Sequence, residues 1–132
     1  LPVIYLPPSM INKPNGTGIG RILKAGQCSV QGLSAVYKHE SAFRQELLLC
    51  LILLPLAFIL GKTPLGIALM VAGLVLVLLV EVINSAIEAI VDRVGLEHHE
   101  LSGRAKDMGS LAVLMALILC GVLWIGVLMS GY

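Results

Sequence analysis

Three long runs of apolar residues constrain this chain more than any other feature of its sequence. The runs cover residues 47–60, 65–80 and 111–129 and hold 14, 16 and 19 residues. Because about 20 apolar residues cross a bilayer as a helix, the third run is long enough by itself, whereas the first two need flanking residues. Gly61 and Pro64 mark a turn between those two runs. We therefore predict three transmembrane helices, over about 42–60, 64–94 and 106–130.

The composition agrees with a small membrane protein of one domain. Hydrophobic residues make up 58% and charged residues 13% of the 132 residues, against about 45–50% and about 25% in soluble domains. The formal net charge of +1 excludes a nucleic-acid binder, because such a protein needs a strongly basic surface. The cysteines Cys28, Cys50 and Cys120 fit neither a disulfide framework nor a metal-binding spacing.

The lysines and arginines predict the orientation of the chain in the membrane. Eight of the nine lie either before the first apolar run or between the second and the third, and only Lys62 lies in the first loop. The positive-inside rule therefore places the N-terminus and the loop over residues 93–106 in the cytoplasm. The C-terminus is then expected outside.

The polar segment over residues 21–44 is predicted to form a helix on the membrane surface. Leu23, Val30, Leu33 and Tyr37 recur at helical spacing among polar residues. We expect this amphipathic surface helix over about 18–41. Residues 1–17 are expected to be disordered or a remnant, with Met10 as the natural start.

A polar stripe continues directly from the second apolar run. At about 100° per residue, the polar side chains fall within a stripe about 100° wide on one helix face, and they belong to Glu81, Asn84, Ser85, Glu88 and Asp92. Like charges one turn apart repel each other, and ionised groups at membrane depth are costly. The stripe therefore needs a cation, a proton or a partner to stabilise it.

Two interpretations of this stripe remain open. Mg²⁺ prefers carboxylate oxygens together with waters and substrate phosphates, which favours a divalent-metal site with a general base beside it. The alternative is a salt-bridge seam with Arg21, Arg44 or Arg93. We favour the metal site because Asn84 and Ser85 share the stripe.

The segment from Arg93 to Ser110 is predicted to be a polar cytoplasmic loop. It contains Arg104, Lys106 and several other charged or imidazole side chains, and lysine and arginine are suited to phosphate oxygens. A solvated connection between two helices would have a similar composition, so both interpretations remain open at this point.

Two motifs in these segments resemble the prokaryotic diacylglycerol kinases, which are small trimeric integral-membrane lipid kinases. The motifs are EVINSAIEAIVDRVG and ELSGRAKDMGS, and the upstream segments HESAFRQE and GRILKAGQCSVQGL are similar to that family's cytoplasmic surface helix. The similarity extends from Gly18 to about Trp124. It implies an all-α homotrimeric helical bundle in the bacterial inner membrane. The implied reaction is transfer of the ATP γ-phosphate to diacylglycerol, which gives phosphatidate.

The resemblance also implies roles for individual residues. Glu81 resembles the general base, Asn84 an active-site residue beside it, and Glu40 and Glu88 the Mg²⁺ ligands. Nucleotide contacts are implied for Arg21, Ser29, Glu40, Glu88, Asp92, Glu97, His99, Lys106 and Asp107. Lipid-substrate contacts are implied for Glu81, Ser110, Arg44, Glu46 and Ala42. Cys28, Val30 and His98 depart from the family, which often carries aromatic residues at or near these positions.

The sequence is compatible with three functions: a diacylglycerol kinase, a kinase for another lipid alcohol, and an ion-coupled transporter. The HESAFRQE segment favours the diacylglycerol branch over a kinase for undecaprenol or another long-chain alcohol. A small ion-coupled transporter would use the acidic stripe as a relay but would not need Lys106 and Asp107. Three spans alone cannot easily hide the stripe, so we expect self-association. Whether Glu40 meets Glu88 of its own chain or of a neighbour is left open.

Overall fold

The structure is a computed structural model that describes residues 17–132, and these residues form four α-helices and no strand. The helices are α1 (Gly18–His39), α2 (Ser41–Leu60), α3 (Pro64–Val94) and α4 (Glu100–Ser130). The last three are long and apolar enough to cross a membrane, which confirms the predicted all-α class. The prediction for residues 1–17 lies outside the described residues apart from Thr17.

The chain divides into two compact units at the boundary between Ala35 and Val36. The first unit contains most of α1, where Ile22, Leu23 and Leu33 are exposed among polar residues, as an amphipathic helix requires. The second unit holds the end of α1 and the three long helices. Every contact between helices described below lies within this second unit.

Arg44 stabilises the junction between α1 and α2. Its guanidinium donates hydrogen bonds to the backbone oxygens of Tyr37 at 2.7 Å and Lys38 at 3.2 Å. These carbonyls belong to the last turn of α1, where helical partners are lacking. Glu40 then takes an extended backbone conformation and becomes the N-cap of α2, so the chain starts a new helix after a single non-helical residue.

The turn between α2 and α3 follows from its sequence. Thr63 is the N-cap of α3, and its hydroxyl oxygen accepts a hydrogen bond from the Gly66 backbone at 3.1 Å. Pro64 follows at the first helical position, where its missing N–H costs nothing. The turn predicted at Gly61 and Pro64 thus forms a tight connection, which makes α2 and α3 antiparallel neighbours.

Helix α3 is the central element, because both α2 and α4 pack against it. A buried apolar cluster contains Ala57, Met70 and Val127, one residue from each of the three long helices. The Trp124 indole donates a hydrogen bond to the Met70 carbonyl at 3.1 Å. A Cβ at Gly73 would lie 3.1 Å from the Cys120 sulfur, so the small residue lets α3 and α4 approach closely, as is common in membrane bundles.

Helix α4 begins at Glu100, earlier than the predicted start near residue 106. The cause is a local cap, since His99 takes the N-cap position and its Nδ1 accepts a hydrogen bond from the Leu101 backbone at 3.1 Å. The segment predicted as a long loop after Arg93 is therefore mostly helical. Only residues 95–99 connect α3 to α4.

Candidate active site

The polar stripe of α3 lies against α4 in the half of the helix nearer its C-terminus. Glu81 and Ser85 are buried, with 4% and 7% of their surfaces exposed. These two positions continue the face that buries Met70, Leu74 and Val77 further back along the helix. The helix therefore places polar side chains in a packed interface where its earlier turns place apolar ones.

Asn84 lies between Glu88 on its own helix and Gly109 on α4. Its amide nitrogen donates a hydrogen bond to Glu88 Oε1 over 3.4 Å, which joins two positions one turn apart. On the other side, the amide oxygen faces buried Gly109 so closely that a Cβ there would overlap it. Asn84 is thus fixed by a carboxylate on one side and by a backbone on the other.

Glu40 and Glu46 are two further carboxylates of this neighbourhood. Glu40 and Glu88 both lie within electrostatic range of Glu81, and so does Glu46. Glu40 comes from the N-cap of α2, where its side chain makes no capping hydrogen bond. The predicted base, both predicted metal ligands and Glu46 thus influence one another electrostatically. Four acidic groups near one another require a counter-charge or protons.

Three buried polar atoms of this region lack hydrogen-bond partners. They are Glu46 Oε2, Asn84 Oδ1 and Ser85 Oγ. A buried polar atom without a partner costs about 1–3 kcal/mol, so a region that collects several of them is poorly optimised for stability. Such atoms are typical of sites that gain their partners from a substrate, a solvent molecule or another subunit.

A cavity of about 160 Å³, lined largely by polar and charged residues, lies at the connection between α3 and α4. It is lined by Val91, Asp92, Gly95, Leu96, Glu97, His98, His99, Ser102, Gly103 and Lys106. Four of the predicted nucleotide contacts therefore share one cavity, although they span fifteen positions of the sequence. Asp92 and Lys106 face each other across it in an ion pair of 2.7 Å.

The cap at His99 determines which nitrogen of its ring is available. Because Nδ1 accepts the Leu101 backbone hydrogen bond, the proton of the neutral ring must be on Nε2. The side chain is otherwise exposed at the rim of the cavity. Nε2 can therefore donate a hydrogen bond to an anionic ligand while Nδ1 holds the start of α4.

The remaining predicted residues lie outside these two clusters. Arg21 and Ser29 belong to the first unit, where the Ser29 hydroxyl donates to the Ala25 carbonyl at 2.9 Å. Ala42, Asp107 and Ser110 are exposed. Arg44 is half-buried and caps α1 as described above.

The sequence did not indicate the uncharged residues that line the site. Gly109 contacts Asn84, and Ser102 and Gly103 line the cavity beside Lys106. The available signal for Gly109 was a small residue in a helix expected to pack on a polar stripe. The periodicity of α4 alone does not distinguish that glycine from the others in the same helix.

The donor set at the stripe suits a hard divalent cation. Carboxylates from Glu40, Glu81 and Glu88 lie within electrostatic range, and Mg²⁺ is usually held by one or two carboxylates plus waters and substrate phosphates. Within residues 17–132 no group of three His, Cys, Asp or Glu side chains is arranged to hold a metal by itself. Carboxylates of this kind would suit a Mg²⁺ whose other ligands are water and phosphate oxygens.

Comparison with known proteins identifies the family of this chain. Residues 27–128 match the model of the prokaryotic diacylglycerol kinase family. A diacylglycerol kinase of Haemophilus influenzae is 48% identical over 112 residues, which cover 85% of this chain and 95% of the relative. One of Escherichia coli is 48% identical over 118 residues, covering 89% and 97%. One of Pseudomonas aeruginosa is 50% identical over 114 residues, covering 86% and 93%.

Proposed function

The chain belongs to the prokaryotic diacylglycerol kinase family, and from this premise we propose how its residues phosphorylate a lipid alcohol. It is a diacylglycerol kinase, an enzyme that transfers a phosphoryl group to a hydroxyl. The observation that carries the assignment of roles is the cluster of Glu81, Asn84 and Glu88 on one membrane helix. The donor we propose is ATP, and the product is phosphatidate with release of ADP.

Glu81 is the proposed general base. As the lipid hydroxyl oxygen forms its bond to the γ-phosphorus, the hydroxyl proton passes to the Glu81 carboxylate and the bond from phosphorus to the bridging oxygen breaks. Glu81 lies in a helix that is long and apolar enough to cross a membrane, and its side chain is buried. A base in such a place meets a lipid hydroxyl without exposing the reaction to bulk water.

Glu88 and Glu40 are the proposed ligands of Mg²⁺. The ion would neutralise the phosphate charge in the transition state and would also offset the repulsion among the clustered carboxylates. Asn84 supports this role because its amide donates to the Glu88 carboxylate. A donor on one oxygen of Glu88 restricts the rotation of the carboxyl group and leaves the other oxygen for the metal.

The cavity between α3 and α4 is the proposed nucleotide site. Lys106 and the His99 Nε2–H are positioned as donors to phosphate oxygens, and Asp92 holds Lys106 in place before the nucleotide binds. We propose further nucleotide contacts from Glu97, Asp107, Arg21 and Ser29, as the family resemblance implies. The short connection over residues 95–99 keeps Asp92, near the end of α3, close to Lys106, near the start of α4.

The proposed lipid site uses an apolar cavity of about 220 Å³. Leucines from all three long helices and Trp124 line it, and Glu46 lies at its edge. This lining suits an acyl chain, while Glu46 offers an acceptor to the glycerol portion. Ser110, Arg44 and Ala42 complete the contacts proposed for the lipid.

The proposed location is the inner membrane, with the N-terminus and the active site in the cytoplasm and the C-terminus outside. The distribution of lysine and arginine supports this orientation. The proposed assembly is a homotrimer with sites between subunits. Mixing inactive Glu40→Ala and Glu88→Ala subunits tests this assembly, because recovered activity requires that one site take residues from two chains. If mixtures remain inactive over all ratios, each chain holds its own complete site.

The test of function is ATP-dependent label transfer in mixed micelles. Diacylglycerol and undecaprenol are offered separately, and Glu81→Gln serves as the inactive control. We expect label in phosphatidate with the unaltered protein, a requirement for Mg²⁺ that EDTA abolishes, and no label with the variant. Label in the polyprenol alone would instead assign the chain to the polyprenol branch.

A further inference from the structure

We propose that Gly109 is a positioning residue for the kinase reaction, because it allows Asn84 to hold Glu88. The inference rests on the proposed role of Glu88 as a Mg²⁺ ligand and adds a residue that carries no chemistry of its own. Gly109 lies on α4, whereas Asn84 and Glu88 lie on α3. The residue would therefore act across the helix interface.

The contact itself is closer than any other residue type would permit. Gly109 is buried, and a Cβ at this position would overlap Asn84 Oδ1 and lie 3.2 Å from Asn84 Cγ. The overlapped atom is the end of a side chain, so a methyl group at 109 would displace the amide and not the backbone of α3. The expected consequence is a moved Asn84 in an otherwise intact bundle.

The orientation of the amide explains why its displacement matters. With the nitrogen toward Glu88, the amide donates to Oε1 at 3.4 Å. The reverse orientation would bring an amide oxygen against a carboxylate oxygen, and two acceptors repel each other. The Asn84 oxygen is consequently directed at Gly109, where it is buried without a hydrogen-bond partner. Only a residue without a side chain leaves room for it there.

A displaced Asn84 removes the donor that orients the Glu88 carboxylate. Loss of such an outer partner commonly weakens metal binding by about 10–100-fold. The apolar cavity proposed for the acyl chain is not lined by Asn84, Glu88 or Gly109. Gly109 should therefore influence the use of Mg²⁺ and ATP without altering the affinity for diacylglycerol.

The chain offers a matched control for the test of this idea. Gly126 lies on the same helix, is exposed, and has open space around an added Cβ. For Gly109→Ala we expect kcat to fall about a hundredfold, the KM for Mg·ATP to rise, and the KM for diacylglycerol to stay unchanged. Gly126→Ala should retain the original constants. Equal losses of activity in the two variants would overturn the proposal, because they would show that any change from glycine to alanine in α4 has this effect.

Removal of the Asn84 amide should abolish the loss of activity that the methyl group of Gly109→Ala causes. In an Asn84→Ser background, which is itself slow, Gly109→Ala should cost no further activity because the overlap is gone. An additional loss of the same size as in the original background would overturn the proposal. If Gly109→Ala alone does not fold, the double variant should fold again, and its failure to do so would equally overturn the proposal.

The sequence contains three asparagines, so selective ¹⁵N labelling of asparagine gives a simple spectrum in which Asn84→Ser identifies one side-chain signal. Gly109→Ala should shift that signal and Gly126→Ala should not, and an unshifted signal in Gly109→Ala would overturn the proposal. Mn²⁺ with ATP should broaden the signal in the unaltered protein. Absence of broadening would refute the metal role of Glu88, which is distinguishable from failure of the Gly109 contact.

Discussion

The two ends of the α3–α4 interface are packed in different ways. At the apolar end, Met70 is fully buried, and its carbonyl accepts the Trp124 indole hydrogen bond. At the polar end, Glu81 is almost as deeply buried, yet the neighbouring atoms Asn84 Oδ1 and Ser85 Oγ have no partners. One helix therefore joins a region that stabilises the bundle to a region with unfavourably buried polar atoms, as is typical of functional sites.

This contrast predicts that substitutions along α3 separate into two classes. Changes at the polar end should reduce activity with little loss of stability, since the groups there are not optimally paired. Changes at the apolar end should reduce stability and leave the chemistry intact at low temperature. The following experiments could break or sharpen this division.

The largest expected effect is on catalysis at Glu81. Glu81→Gln retains the shape of the side chain but cannot accept the lipid proton, so we expect the rate to fall about a thousandfold. Stability should not fall, because a neutral amide is less costly to bury than a carboxylate. The measurement is label transfer to diacylglycerol together with a melting curve of the same sample.

Glu100→Gln provides the control for Glu81, since Glu100 lies in the exposed first turn of α4 and outside the proposed site. It should retain full activity. A Glu81→Gln protein that loses stability as much as activity would contradict the division between the two ends.

The next largest effect is on stability at Met70. Met70→Ala leaves a cavity between all three long helices, and we expect it to destabilise the bundle by about 2 kcal/mol. This value lies at the low end for core methionines, because lipid removes much of the hydrophobic contribution and leaves mainly packing. Unfolding in mixed micelles gives the free energy, and kinase activity below the transition should be preserved.

Met129 is the matched control, as it lies on α4 and is 83% exposed. Met129→Ala should leave the unfolding free energy unchanged. If Met70→Ala abolished kinase activity while the bundle remained folded, the apolar end would have a catalytic role that the packing does not indicate.

The sequence predicted the elements better than their contacts. The apolar runs predicted α2 and α3 closely, because a helix that spans a membrane must satisfy its backbone internally and so has a length set by the bilayer. The start of α4 was misplaced because the histidine at its N-cap is an uncommon capping residue. Residues 93–101 contain no Ser, Thr, Asp or Asn that would mark the start of the helix.

At the site, the periodicity placed Glu81, Asn84 and Glu88 on one face, which the structure bears out. The approach of Gly109 to Asn84 depends on the rotation and crossing of α4 relative to α3, and these are tertiary properties. The pairing of Asp92 with Lys106 likewise requires the length of the connection over residues 95–99. Local sequence therefore predicted which polar residues share one helix face, but it did not predict the glycine and the ion pair that lie beside them.

A smaller effect is expected at His99, where two roles can be separated. His99→Ala removes both the cap and the ring, and should destabilise the protein by about 1 kcal/mol. His99→Asn retains a good capping side chain but loses the Nε2–H, so it should preserve stability and weaken ATP binding. The comparison uses melting curves and the KM for ATP. Normal ATP binding in His99→Asn would show that the residue serves the helix alone.

The smallest expected effect concerns the ion pair between Lys106 and Asp92. Both side chains are almost half exposed, with 42% and 49% of their surfaces accessible, and pairs in such positions contribute little to stability. Without nucleotide, Lys106→Gln should melt at the same temperature as the unaltered protein, as should the control Lys62→Gln, which changes an exposed lysine before α3.

The weakness of this pair fits its proposed role. Because the ion pair with Asp92 contributes little free energy, Lys106 can turn to a phosphate oxygen at little cost. The melting temperatures of Lys106→Gln and Lys62→Gln should therefore differ only when ATP and Mg²⁺ are added. Their stabilising effect on the melting temperature should be smaller in Lys106→Gln than in Lys62→Gln. A large loss of stability in nucleotide-free Lys106→Gln would instead show that the ion pair stabilises the fold. The connection between α3 and α4 would then contribute to stability, as the apolar end of the interface does.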